Sequence, residues 1–92
     1  MDRQVTKREV PSYEIVEEKI KEIDGSIIVL RIFYIFMHIA YKFQLIKNDK
    51  LCSVVIPRQL LEGLSGRNSI LEEELNRILD TTLQHSDCWN KV

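Results

Sequence analysis

From Ser12 the apolar residues Tyr13, Val16, Ile20, Ile23 and Ile27 recur at spacings of three and four, which lays them along one stripe of an α-helix. Ser12 stands where an N-cap is wanted. Glu14, Glu17 and Glu18 occupy the first turns, where unpaired backbone N–H groups and the helix dipole favour carboxylates, and Glu17 with Lys21 adds an (i, i+4) pair. Asp24-Gly25-Ser26 is the predicted stop, with Gly25 in the left-handed C′ conformation.

The next stretch, SIIVLRIFYIFMHIAYKFQLI at 26–46, is the most apolar part of the chain, yet it carries Arg31, His38 and Lys42. Strict alternation fails in it, because residues 27–30 and 32–37 are unbroken apolar runs with no Gly, Pro or Asn between them. At 100° per residue Arg31, His38, Lys42 and Asp49 fall within a sector about 40° wide, so the pattern predicts a central helix with one polar line and an apolar remainder. Asn48-Asp49-Lys50 is a turn signal, and LCSVVI then reads as a short strand. Pro57 suits the first position of a short helix running through Leu64. After the break at 65–68, Ser69 and Glu72 match a capping box, and Leu71, Leu75, Ile78, Leu79 and Leu83 continue an amphipathic helix towards His85.

The resulting expectation is an all-α or mainly α fold, a small helical bundle of three main helices plus one short helix, with room for one short strand. A polar N-terminal arm occupies 1–11, a single helical domain 12–86 and a C-terminal tail 87–92. A chain of 92 residues builds one core, and 45% hydrophobic with 29% charged residues is globular composition. Thirteen basic against fourteen acidic side chains give a net charge of −1, so no global field draws in nucleic acid or an anionic membrane. At about 20 residues the central stretch is long enough to span a bilayer. Arg31, His38 and Lys42 would then sit in hydrocarbon, which favours a helix buried by protein instead.

Candidate chemistry is sparse. Cys52 and Cys88 make no disulfide framework, and the N-terminal residues carry no apolar signal-peptide core, so the expectation is a reduced, intracellular protein of the cytoplasm or nucleus with two free thiols. His85 and Cys88 are one close pair of potential ligands where a structural zinc site needs two, so no metal or other cofactor is expected. No glycine-rich phosphate loop and no base linked to either cysteine is evident, and no catalytic residue is assigned. Residues 57–84 have the outline of a helix-turn-helix, with Arg58, Arg67, Asn68 and Ser69 as base or phosphate contacts. Three carboxylates at Glu72, Glu73 and Glu74 oppose that chemistry. The order short helix, long helix, strand-bearing loop and short helix resembles the histone fold, though the loop at Asp24-Gly25-Ser26 is too short for that fold, and no residues carry over.

The apolar excess of the central helix over the surface available to cover it points to a non-enzymatic interaction module, an adaptor or regulatory subunit, that binds a protein partner or self-associates into a homo-oligomer. Phe33, Phe36, Met37 and Phe43 are the expected partner-binding residues, and Arg31, His38 and Lys42 the expected charged contact line. A DNA-binding regulator built on the 57–84 hairpin is the alternative.

Overall fold

The stretch that reads as a central helix is a pair of antiparallel strands. The computed structural model describes residues 2–91 and contains β1 (Asp2–Val5), α1 (Tyr13–Ile23), β2 (Ile28–Ile35), β3 (Ala40–Lys47), β4 (Lys50–Pro57), α2 (Arg58–Leu64), α3 (Ser69–Leu83) and β5 (Asn90–Lys91). β1 to β4 form a four-stranded antiparallel sheet, and the two-residue β5 extends it in the order β1-β2-β3-β4-β5. The fold is therefore α+β. This overturns the helical bundle, the central helix at 26–46 and the likeness to a histone fold.

The physical reason lies in residue type. Ile, Val, Phe and Tyr dominate the stretch, and β-branched and aromatic side chains fit a pleated surface better than a helix turn that restricts their first torsion. The hairpin between β2 and β3 bends through a single 3₁₀ turn, Phe36–His38, and returns through Ile39 in a left-handed conformation (φ 48°), without a Gly or Pro to mark it. The β3–β4 turn, by contrast, uses Asn48 and Asp49, both left-handed (φ 51° and 62°), which suits a two-residue hairpin.

All three α-helices cover one face of the sheet. Ile32, Phe43, Leu45, Val54 and Ile56 point into that layer and meet Val16 and Ile20 of α1, Leu61 and Leu64 of α2, and Leu75 and Leu79 of α3. Phe43, expected to bind a partner, is fully buried at the centre, its ring stacked 6.3 Å from that of Tyr13. That correction follows from the two-residue period of a strand, which turns Phe43 inward with Leu45 and sends Lys42 and Gln44 to the other side. Helix α1 starts where the sequence places it. The Ser12 hydroxyl does not cap it, however, but donates to the Leu61 carbonyl at 2.8 Å and ties α1 to α2. The cap of α3 is Asn68, whose side-chain oxygen accepts from the N–H groups of Ile70 and Leu71 at 2.9 and 3.2 Å, rather than Ser69.

Asp24, not Gly25, organises the end of α1, and Gly25 has no positive φ. The Asp24 carboxylate accepts from the Ser26 hydroxyl (2.6 Å), the Ser26 N–H (2.9 Å) and the Lys47 ammonium (3.0 Å). Those bonds, the Ser26 hydroxyl first, hold its pKa down at about 2, against an ordinary 3.8. A depressed carboxylate pKa contributes stability that is fully present above the ordinary value and is lost as pH falls through the folded one. Asp24→Asn is therefore expected to lower the urea midpoint at neutral pH, with the variant and wild-type midpoints converging as pH falls from 3.8 to about 2. A gap that persists at the acid end would assign the loss to packing instead.

Candidate interaction surface

The face of the sheet opposite the helices carries no covering element among the described residues. Strand registry arranges it in rows. Ile28, Ile46 and Leu51 form an apolar row at one end, followed by the polar row Arg31, Gln44 and Ser53. Phe33, Lys42 and Val55 make the third row, and Ile35, Ala40 and Pro57 the last. Ile28 and Val55 are exposed, and Phe33, Ile35, Ile46 and Leu51 are half-buried. A register shift between Val29 and Arg31 inserts Leu30 as an extra residue, which restores Arg31 and Phe33 to the same face.

Two cations stand on this face. The Lys42 ammonium lies 5.3 Å from the centroid of the Phe33 ring, and its one carboxylate neighbour, Asp2 at the rim, is 3.8 Å away. Arg31 is exposed and takes part in none of the ion pairs found among the described residues. The face ends at the β2–β3 tip, where Phe36, Met37, His38 and Ile39 project. Met37 is 85% exposed and Phe36 52%. Phe36 meets Tyr34 edge-on at 4.9 Å, and the Ile39 carbonyl accepts the Arg58 N–H at 3.0 Å, so the tip is anchored to the start of α2. A β-branched residue with φ above zero is an outlier worth about 1–3 kcal/mol of strain, held here at an apolar, exposed turn.

Of the residues singled out from sequence, Phe33, Phe36, Met37, Arg31, His38 and Lys42 thus share one face or the tip adjoining it. The surface is a sheet and its hairpin, however, not a helix. Phe43 lies on the helix side, and the ring of Phe36 at the tip leans that way, against Tyr34, which packs on the core. Ile28, Ile35, Ile46, Leu51 and Val55 were missed. Their signal was present in β4, where Leu51 and Val55 are apolar on the face opposite Cys52, Val54 and Ile56, a doubling that a strand with one fully wet face does not show.

Other sequence candidates are placed elsewhere. Cys52 and Cys88 form a disulfide with Cα atoms 5.1 Å apart, which corrects the expectation of two free thiols. No group of three or more potential metal ligands is found among the described residues. In the 57–84 hairpin Arg58 lies near Glu62, and Arg67 bridges Glu72 (3.4 Å) and Glu18 (3.5 Å), while Asn68 is occupied as a cap. Glu72, held also by Lys19 at 3.2 Å, joins α3 to α1. No helix among the described residues is long and apolar enough to cross a membrane. Comparison of the chain with protein-family models, with curated proteins and with solved structures gives no match.

Proposed function

We propose that this protein is a non-enzymatic interaction module that engages a protein partner through the open face of its sheet and the β2–β3 tip. The observation that carries the reading is the apolar content of that surface, where the row of Ile28, Ile46 and Leu51 and, across the single polar row of Arg31, the group Phe33, Val55 and Ile35 lie in register beside a tip made of Phe36, Met37 and Ile39. Exposed apolar patches of this kind mark interaction sites, and Phe and Met are favoured interface anchors. The half-wet face of an antiparallel sheet ordinarily alternates to polar residues. Here only the Arg31 row does so fully.

Met37→Asp and Val55→Asp each place a charge on the surface without touching the helix-covered core, so both variants should keep the wild-type circular dichroism spectrum. Each is expected to lose the proteins that co-purify with wild type from its source extract, whereas Glu73→Lys on the exposed side of α3 retains them. Retention of the same set by Met37→Asp and Val55→Asp, with loss in Glu73→Lys, would move the interaction to the helices and overturn the reading.

A further inference from the structure

We infer that the occupant of the open sheet face is an acidic amphipathic helical segment of another protein, an inference that rests on the interaction reading above and names its partner class. The charge of the molecule is divided between its two layers. The helices carry Glu14, Glu17, Glu18 and Glu22 on α1 against Lys19 and Lys21, and Glu72, Glu73, Glu74 and Asp80 on α3 against Arg77. The open face reverses that sign, with Arg31 and Lys42 in its middle rows and Asp2 only at the rim. A segment laid across it meets apolar rows on both sides of Arg31, which joins no ion pair among the described residues, so its complement is a stripe in which Asp or Glu stands between apolar side chains.

Competing occupants fit less well. A second copy presenting the same face would set Arg31 and Lys42 against their own images, a like-charge juxtaposition. A second copy presenting its helices would bring carboxylates, but Lys21 and Arg77 come with them, and the apolar side chains Leu60, Leu71 and Ile78 line a groove between α2 and α3, a concave shape that does not seat on an open sheet face. A single-stranded nucleic acid needs several stacking platforms along a cationic track. This face offers one aromatic ring, Phe33, already covered by Lys42, amid aliphatic residues.

The test is selection of displayed random peptides of about 16 residues, some four helical turns, on the full-length, disulfide-intact chain. Binders are expected to combine apolar residues at spacings of three and four with Asp or Glu. Synthetic versions should weaken on the order of tenfold against Arg31→Glu or Lys42→Glu, lose affinity as salt rises, and fail when every Asp and Glu of the peptide is changed to Lys. Binders that Val55→Asp abolishes but that are basic or uncharged, and indifferent to Arg31→Glu, would overturn the acidic partner while leaving the interaction surface standing. Binders indifferent to Val55→Asp, Arg31→Glu and Lys42→Glu alike, or none at all, would overturn both. Two further outcomes also reject the inference. One is a dimer by light scattering that Val55→Asp dissolves, and the other is retention of an oligothymidylate that Arg31→Glu releases.

Discussion

Phe43→Ala is expected to cost about 3–5 kcal/mol, the loss typical of a fully buried aromatic truncated to a methyl group. A domain of this size has a total stability of about 5–15 kcal/mol, so the variant should stand close to unfolding at ambient temperature. The magnitude follows from place. Phe43 is 0% exposed, lies opposite Ile32 on β2 and Val54 on β4, and stacks on Tyr13 of α1, so no neighbouring side chain is free to collapse into the space it leaves. Phe33→Ala is the same chemical change one strand away and one face over, and its expected cost is about 1 kcal/mol or less. Urea unfolding of the two variants side by side checks the orientation of the whole sheet. Equal losses would mean that both faces are packed, and the open-face interaction surface would then have no basis.

The contrast between those two phenylalanines shows what the sequence made legible. α1 and α3 were visible because a helix with one wet side displays its period directly: the stripe Tyr13, Val16, Ile20, Ile23 and the stripe Leu71, Leu75, Leu79 are unmistakable at 3.6 residues per turn, while α2 was marked by Pro57 at its start. β4 was visible for its β-branched run and the Asn48-Asp49 turn before it. β2 and β3 were not, for two reasons. Their open face is itself apolar, so the period of two is blurred, and their connection is built from Phe36, Met37, His38 and Ile39, none of which signals a turn. The polar line of Arg31, His38 and Lys42 was drawn on a helix that does not exist. Yet Arg31 and Lys42 do share a face, because each lies an odd number of residues from an inward-pointing neighbour, Ile32 and Phe43. A functional surface that suppresses alternation therefore concealed the fold that carries it.

Removing the Cys52–Cys88 bond should produce the second large effect. The disulfide closes a loop of 36 residues that contains α2 and α3 entire, pinning the end of the helical layer to the buried middle of β4. Closing a loop of that length in the unfolded chain corresponds to about 2–4 kcal/mol. Around the bond the Trp89 indole N–H donates to the Leu83 carbonyl at 2.9 Å, and the Lys47 ammonium lies 5.2 Å over the Trp89 ring, so the segment that carries Cys88 is packed as well as tethered. Cys88→Ser leaves Cys52, 2% exposed, as a small buried hydrophobe that needs no partner. The loss should therefore report the cross-link rather than a new cavity. The oxidised wild-type protein is expected to show no reactive thiol in denaturant until it is reduced, and reduced wild type and Cys88→Ser should then unfold at closely similar urea concentrations, both below the oxidised form. Two thiols that react without reduction, together with a Cys88→Ser midpoint equal to that of wild type, would show that the chain holds its helices through Trp89 and the Leu75–Leu79 face alone.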